Sequence, residues 1–239
     1  MTPLSKGKYT VRLALPADMA GIHALRARCF GVAGGAADRF DARAAQVLVA
    51  HAQTDEIVAA FRMTVLGAAQ IGDSYAAQFY GLQAPEEFTG PLLELGRFCI
   101  HPAHPDPDIA RLAWAALTAH VDRSGVQMLF GCSSFAGTQT APYSDAFALL
   151  KARHLGPACW QPAVRSAEVF RYGAQIHSRP DLAVAHATLP PLLRSYLMMG
   201  GWVSDHAVID REMGTLHVFT GLETRNIPPA RKRLLRAIV

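Results

Sequence analysis

The stretch from Pro91 to Pro102 limits what this chain can fold into, because it has the pattern of a buried strand that carries two charged residues. Its apolar residues alternate at both ends, but the alternation changes phase in the middle. A slip of one residue turns every later side chain of a strand to the other face. A β-bulge at Gly96 and Arg97 repairs the pattern, since glycine removes the steric objection. We therefore predict an irregular interior strand.

The two charged residues of this stretch are Glu94 and Arg97. Three residues apart, they would face opposite sides of a regular strand, whereas a bulge could turn both towards one cleft and leave backbone N–H groups free. Burying such a pair costs free energy, so its presence needs a reason. One interpretation is a structural ion pair, and the other is an active centre.

The surrounding sequence predicts a mixed α/β protein with a single domain over residues 1–239. A core over about 1–155 is followed by an extension over about 156–239. Pro16, Pro107 and Pro191 each begin a predicted helix, as proline favours the first helical position, and another helix covers 143–154. The predicted strands are 9–15, 46–52, 57–66, 126–135, 202–209 and 216–221, and the predicted irregular segments are 31–37, 67–90 and 156–188.

Composition narrows the class of protein further. Of the 239 residues, 51% are apolar, which is enough for a sizeable core. No apolar run is long enough to span a bilayer, and the N-terminus lacks the apolar run of a signal peptide, so we predict a cytoplasmic protein. Four separated cysteines without a C-x-x-C pair support neither a disulfide framework nor a thiolate zinc site.

The chain carries a net charge of +4, and its last fifteen residues contain five basic residues and no acid. Such a tail suits an acidic protein, an anionic lipid surface or nucleic acid, or it is an ordinary solvated terminus. The sequence lacks the aromatic and basic pattern of RNA-binding or single-stranded-DNA-binding proteins, and it has no glycine-rich phosphate loop. We therefore expect no nucleic-acid partner.

Further charged residues are candidates by position. Asp38 and Asp41 follow a glycine-rich segment, where they could bind a cationic amine or simply cap a turn. Arg26 lies beside apolar positions of the first helix and could equally be a surface arginine with a buried stem. Arg62 interrupts an apolar strand. A serine hydrolase is disfavoured, since Ser133 does not stand in a G-x-S-x-G motif, and we predict no metal site.

Several short motifs together resemble a known family, the ornithine N-acyltransferases of bacterial ornithine-lipid synthesis. These enzymes are GNAT-like acyltransferases, similar in their N-terminal half to acyl-homoserine-lactone synthases. The resemblance covers nearly the whole chain. Its motifs are Leu25-Arg26-x-Arg28-Cys29-Phe30, Asp38-x-Phe40-Asp41, Arg62, Leu93-Glu94-Leu95-Gly96-Arg97, Leu129-Phe130-Gly131-Cys132-Ser133-Ser134-Phe135, Pro190-Pro191-Leu192, Tyr196, Gly200 and Asp210.

The resemblance implies a GNAT-like fold, a central mixed twisted sheet flanked by helices with a C-terminal extension. It implies transfer of an acyl chain, commonly 3-hydroxylated, from acyl carrier protein to the α-amine of ornithine, giving lyso-ornithine lipid. The carrier thioester is a co-substrate, and no cofactor is expected. The amphipathic product raises peripheral contact with anionic membrane as an expectation. Open alternatives are glutamine or another amino acid as acceptor, an acyl-homoserine-lactone synthase, and an acyl-carrier-binding or lipid-binding protein without activity.

The charged residues and the irregular strand lead to a hypothesis for the roles of individual residues. Glu94 would be the general base, Arg97 and Arg62 would orient it or grip the substrate carboxylate, and no covalent acyl-enzyme is expected. Asp38 and Asp41 would hold the amino group, and Arg26 would help to fix the first helix over the site. Backbone N–H groups near Gly96 and Arg97 would stabilise the thioester oxyanion. Phe98 and Phe135 would partly line the acyl cleft.

The segment after the predicted strand favours a carrier protein over coenzyme A as the acyl donor. GNAT enzymes that use coenzyme A follow this strand with a glycine-rich turn into a helix, whose N–H groups hold the pyrophosphate. Here residues 101–108 read His-Pro-Ala-His-Pro-Asp-Pro-Asp. The prolines lack N–H groups and the aspartates would repel phosphate. A carrier protein presents only a phosphodiester, so it needs fewer phosphate-binding N–H groups at this position.

Overall fold

The computed structural model describes residues 2–35 and 37–237, without the side chains of residues 32–34. The chain divides into two compact units. The first contains the chain up to Val65, Leu93–Val126 and the chain from Pro228. The second contains Leu66–Leu92 and Gln127–Ile227. This division does not follow the predicted boundary near residue 155, and the single acyltransferase domain stays a prediction.

Strands and helices are interspersed along the chain, which confirms the mixed α/β class. The strands are β1 Leu4–Lys6, β2 Tyr9–Leu13, β3 Ala45–His51, β4 Ile57–Leu66, β5 Tyr80–Gly81, β6 Leu92–Ile100, β7 Met128–Ala136, β8 Ala163–Val164, β9 Val169–Phe170, β10 Trp202–Asp210 and β11 Thr215–Glu223. The helices are α1 Met19–Gly35, α2 Pro107–Ser124, α3 Ser144–Arg153, α4 Tyr172–Gln175, α5 Leu182–Thr188, α6 Pro191–Met198 and α7 Pro229–Arg236.

In the first unit the strand order is β1-β2-β3-β4-β6. The pairs β1–β2, β2–β3 and β3–β4 are antiparallel, so the predicted hairpin of β3 and β4 is confirmed. Sequence reasoning missed β1, which has only three residues and no buried side chain to reveal it. One face of this sheet packs against α1, whose Ile22 and Leu25 share an apolar cluster with Leu48 and Ala60.

Helix α1 begins after a turn at Pro16–Asp18, as predicted, but it extends further than predicted. The predicted loop over 31–37 is wrong for Gly31–Gly35, which belongs to the helix; residue 36 lies outside the described residues. The helix is kinked at Gly31, where φ is 80°. A Cβ atom on Gly35 would lie 2.4 Å from the Cβ of Ala27. Glycine therefore permits both the kink and the close contact that follows it.

Helix α2 has the ends that its sequence predicts. The Asp106 carboxylate caps it by accepting a hydrogen bond from the Asp108 N–H at 3.0 Å, and Pro107 is the first helical residue. Gly125 ends it in the left-handed conformation, with φ at 62°. The helix packs against β1, β2 and β3, and also against α7. In the basic tail, α7 is bound to α2 by two hydrogen bonds from Arg236 to the Asp122 carboxylate.

The second unit has the strand order β7-β11-β10-β9, and its neighbouring strands are antiparallel. Residues predicted as a helix over 143–154 form α3, and the two last predicted strands are β10 and β11. The segment 156–188, predicted to be irregular, contains the short elements β8, β9, α4 and α5. None of the helices in the described part of the chain has both the length and the apolar character that crossing a bilayer requires.

Candidate active site

Strand β6 is irregular where the sequence predicts it. Arg97 adopts φ of 53°, in the left-handed region, in the middle of the strand. This conformation is costly for a residue with a Cβ atom, and we expected Gly96 to take it. Glu94 lies three residues earlier and is buried, with 5% of its surface exposed. The strand therefore carries a buried carboxylate three residues before a strained arginine.

Gly96 does not take the left-handed conformation, but it provides space for Arg62. A Cβ atom at position 96 would lie 3.1 Å from Arg62 Nε and 3.4 Å from its Cγ. The Arg62 side chain comes from β4, the neighbour of β6 in the strand order, and it is almost fully buried. Any larger residue at position 96 would press on this guanidinium.

The Asp38 carboxylate joins two arginines from different strands. Its Oδ1 accepts hydrogen bonds from Arg62 Nη1 at 2.6 Å and from the Phe40 N–H at 2.9 Å. Its Oδ2 accepts one from Arg97 Nη2 at 3.1 Å. Asp38 therefore connects β4 to β6 through charge-assisted hydrogen bonds.

The Asp41 carboxylate extends the same network to helix α1. Its Oδ1 accepts hydrogen bonds from Arg62 Nη1 at 2.9 Å and from Arg26 Nη1 at 3.0 Å. Gln46 donates to the same oxygen at 3.0 Å and accepts from Arg26 Nη2 at 2.6 Å. Gln46 is a buried amide on an apolar strand. That signal is visible in the sequence, but we did not single it out.

Both aspartates of this network are ionised at neutral pH. Hydrogen bonds from Arg62 and the charge of Arg26 outweigh burial and hold the pKa of Asp41 at about 2. The pKa of Asp38 is also lowered, because bonds from Arg62 and Arg97 overcome its burial. Burial lowers the pKa of Arg26, and Asp41 opposes that shift. An arginine side chain nevertheless stays protonated in a protein.

The arrangement brings together five of the predicted site residues in one network: Arg26, Asp38, Asp41, Arg62 and Arg97. Three guanidinium groups share two carboxylates, so these five side chains carry one net positive charge. The side chain of Asp38 is 23% exposed. Both aspartates bind arginine, so an amine would have to share them with guanidinium groups.

A pocket of about 550 Å³ lies beside this network within the first unit. Its lining is mostly apolar, from the end of β2, the start of α1 and the turn before β3. Asp41 and Gln46 contribute its polar edge. The pocket thus borders the network on the side of Asp41.

The two predicted phenylalanines lie in different surroundings. Phe98 is half-buried, stacks on Phe61 with ring centroids 5.5 Å apart and lies 6.3 Å from Trp114 of α2. Phe135 is 1% exposed and belongs to an apolar cluster of the second unit, where it contacts Phe147. Their assignment to an acyl cleft stays a prediction. Among residues 2–35 and 37–237, no group of three or more acidic, histidine or cysteine side chains could hold a metal ion.

Comparison with known proteins identifies the family. Residues 27–115 match the sequence profile described as the acetyltransferase (GNAT) domain. The chain is 33% identical over 172 residues to an L-ornithine N(alpha)-acyltransferase of Rhodobacter capsulatus, an alignment that covers 72% of this chain and 66% of that protein. Residues 27–115 belong to the GNAT superfamily.

A second relative, an L-ornithine N(alpha)-acyltransferase of Brucella abortus, is 33% identical over 159 residues. That alignment covers 65% of this chain and 54% of the relative. The chain thus spans between half and two thirds of the length of these two curated proteins. A solved GNAT-like decarboxylase, GphF, in complex with isobutyryl-CoA, is 20% identical with a TM-score of 0.50, covering 90% of this chain and 99% of that one. This likeness confirms the GNAT-like fold.

The GNAT match contains most of the candidate site. Asp38, Asp41, Arg62, Glu94 and Arg97 all lie within residues 27–115, and Arg26 immediately precedes the match. The irregular strand and most of its arginine network therefore lie within the match to the GNAT domain.

Proposed function

We propose that this chain is an N-acyltransferase that moves an acyl chain from acyl carrier protein to the α-amine of ornithine. The observation that carries the proposal is the buried Glu94 on the irregular strand of Arg97, in a chain whose relatives bear the name L-ornithine N(alpha)-acyltransferase. The product would be an Nα-acyl-ornithine, a lyso-ornithine lipid.

In the proposed reaction Glu94 is the general base, directly or through one water. It takes a proton from the α-ammonium group, and the free amine attacks the thioester carbonyl. The carbonyl oxygen becomes an oxyanion, which backbone N–H groups near Gly96 and Arg97 would stabilise. The C–S bond then breaks, the carrier thiolate takes the proton held by Glu94 and leaves as a thiol, and the freed Glu94 carboxylate accepts the second proton of the nitrogen, so that a neutral amide remains. Because the amine attacks the thioester itself, no acyl-enzyme forms, and Cys132 carries no acyl group.

The arginine network would hold the amino-acid substrate by its carboxylate. The single net positive charge of Arg26, Arg62, Arg97, Asp38 and Asp41 favours one additional anion near the network. An arginine that already has one carboxylate partner can present its other N–H groups in a planar fork to a second. The aspartates fix the guanidinium groups in place, so less conformational entropy is lost when substrate binds. The substrate amine would then lie close enough to share Asp38.

The beginning of α2 supports a carrier protein as donor. Its N-terminal N–H groups would hold the pyrophosphate of coenzyme A if they were free to bind an anion. Here the Asp106 carboxylate already accepts from Asp108 N–H, and Pro107 has no N–H to offer. Asp108 adds a further carboxylate at the same helix end, where it pairs with Arg111 at 2.9 Å and Lys6 at 3.5 Å. This helix end therefore disfavours a pyrophosphate group.

The experiment that tests the proposal is incubation of the purified protein with acyl carrier thioesters and each amino acid, with products identified by mass. The proposal predicts Nα-acyl-ornithine, and it predicts faster turnover with the carrier thioester than with the same acyl group on coenzyme A. Acylation of glutamine would correct the acceptor. A lactone formed with S-adenosylmethionine, or no turnover with any acceptor, would contradict the proposal.

The basic face of α7 is the surface that we propose for docking the acidic carrier. Its cations include Lys232 and Arg233, and Leu234 is 60% exposed beside them. Attraction between this face and an acidic carrier is screened by salt. Peripheral contact with anionic membrane is the alternative use of the same face, and binding to vesicles of anionic lipid would reveal it.

Reversal of one charge on α7 tests carrier docking. Arg233→Glu should raise the KM for acyl carrier thioester several-fold at low salt, and the difference should shrink at high salt. The KM for a short acyl-pantetheine thioester, which lacks the protein, should not change. The matched control is Arg179→Glu, an exposed arginine of the second unit. An equal effect of the two substitutions would argue against docking on α7.

A further inference from the structure

Two cysteines that are far apart in the sequence meet between α1 and β6. Cys29 is half-buried on α1, and its sulfur lies 3.4 Å from the carbonyl oxygen of Ile100, the residue next to Cys99. Cys99 is buried on β6, and its sulfur lies 3.6 Å from the carbonyl oxygen of Ala60. Cys29 packs against the apolar cluster that contains Cys99.

The two thiols differ in chemical character because they interact with each other. Interaction with the Cys99 thiol, aided by the charge of Arg28, lowers the pKa of Cys29 to about 7. The same interaction and its burial raise the pKa of Cys99 well above the ordinary value. Cys29 is therefore the thiol that ionises near neutral pH, and Cys99, whose S–H group donates to the Ala60 carbonyl oxygen, stays a neutral thiol. Partial exposure, an adjacent cation and a neighbouring thiol are the surroundings typical of reactive cysteines.

We propose that Cys29 and Cys99 form an oxidisable pair, which a hydroperoxide converts into a disulfide that joins α1 to β6. The Cys29 thiolate attacks one peroxide oxygen, the O–O bond breaks and hydroxide or alkoxide leaves, so that Cys29 becomes a sulfenic acid. The Cys99 sulfur then attacks the Cys29 sulfur, the S–O bond breaks, and water leaves with the thiol proton. Two thiols lose two electrons in total, and the peroxide accepts them.

The disulfide would act on the candidate active site through the elements that it joins. Cys29 is three residues after Arg26, and Cys99 is two residues after Arg97. A disulfide holds its sulfurs about 2.05 Å apart, closer than two thiols in contact. Forming it draws α1 and β6 together, and the network between Arg26 and Arg97 depends on their present spacing. A displacement on the order of 1 Å can lower turnover substantially.

Peptide mapping of the full-length protein tests the pair directly. The reduced protein is treated with equimolar hydrogen peroxide, its free thiols are alkylated, and the digest is analysed by mass. The proposal predicts a linked peptide of Cys29 and Cys99, lighter by two hydrogen atoms and lost on reduction. Cys159→Ser, a change at an exposed cysteine, should leave this product unchanged, whereas Cys29→Ser and Cys99→Ser should each abolish it.

Alkylation rates provide a second readout, independent of disulfide formation and of the proposed function. At pH 7 Cys29 should react with iodoacetamide roughly ten-fold faster than the cysteine of a short unstructured peptide, whose pKa is about 8.5, because far more of Cys29 is thiolate. In the variant Cys99→Ala the midpoint of the Cys29 rate against pH should rise above 7. Oxidation confined to Cys159, or no linked peptide from folded protein, would overturn the proposal.

Discussion

At the scale of single residues, the decisive feature is that Gly96 and Arg97 have different roles in strand β6. The sequence pattern led us to expect that glycine would absorb the irregular backbone of the strand. Instead, Arg97 adopts the left-handed conformation, and Gly96 makes room for the guanidinium of Arg62. A strained residue persists only when its surroundings hold it there. The hydrogen bond of Arg97 to Asp38 is one such restraint.

Gly96→Ala tests whether Gly96 makes room for the guanidinium of Arg62. The new Cβ atom would press on Arg62, which two aspartates and its burial hold in place. We expect the free energy of unfolding to fall by about 1–3 kcal/mol, as when an extra methyl group is forced into a packed core. Urea unfolding measures the change. The control is Gly72→Ala, where a Cβ atom would meet no other described atom within 4 Å. A loss no larger than that of the control would contradict the role given to Gly96.

At the scale of secondary-structure elements, strand β11 of the second unit contains the buried residue His217. Tyr80 donates a hydrogen bond to the carbonyl oxygen of His217, and its Oη lies 3.1 Å from His217 Nδ1. The proton is therefore best placed on Nδ1, where it bonds the tyrosine oxygen. Nε2 has no hydrogen-bond partner within the described part of the chain. Burial, and to a lesser extent the nearby His206, lower the pKa of His217 to about 4.

This histidine predicts how stability depends on pH. The folded protein resists protonating His217 until about pH 4, whereas the unfolded chain takes up that proton near pH 6.5. Stability is therefore fully present above pH 6.5 and falls as the pH decreases towards 4, by about 3 kcal/mol in total. Urea unfolding at several pH values should show that His217→Gln removes this part of the dependence. His177→Gln, at an exposed histidine, should not change it, and an unaltered slope in the first variant would contradict the assignment.

At the scale of the whole molecule, the elements that could be predicted are those with strong local signals. Proline and aspartate mark the start of helix α2 in the sequence. Alternating apolar residues mark the β3–β4 hairpin and the irregular strand β6. The continuation of α1 past Gly31 could not be predicted, because its glycines have poor helix propensity and the close contact with Ala27 is tertiary. Helix α7 was missed because its basic sequence has little apolar pattern and its contacts are with α2.

The residues of the candidate site could be predicted from the sequence, but the hydrogen bonds and ion pairs between them could not. Charged residues in apolar segments marked Arg62, Glu94 and Arg97, since such residues are costly to bury. The sequence did not reveal that Asp38 and Asp41 bind arginines, because those partners lie up to 59 residues away along the chain. Ion pairs of this kind depend on which strands become neighbours, and that is decided by the fold as a whole.

The account depends on the buried carboxylate of Glu94 as the base that frees the attacking amine. The most direct measurement is the single-turnover rate of Glu94→Gln with acyl carrier thioester and ornithine, compared with the unsubstituted protein and with Glu168→Gln, an exposed control. We predict that Glu94→Gln is slower by about 10²–10⁴-fold at neutral pH, with an unchanged unfolding midpoint, and that the control is unaffected. A folded Glu94→Gln protein that retains the full rate would contradict the account.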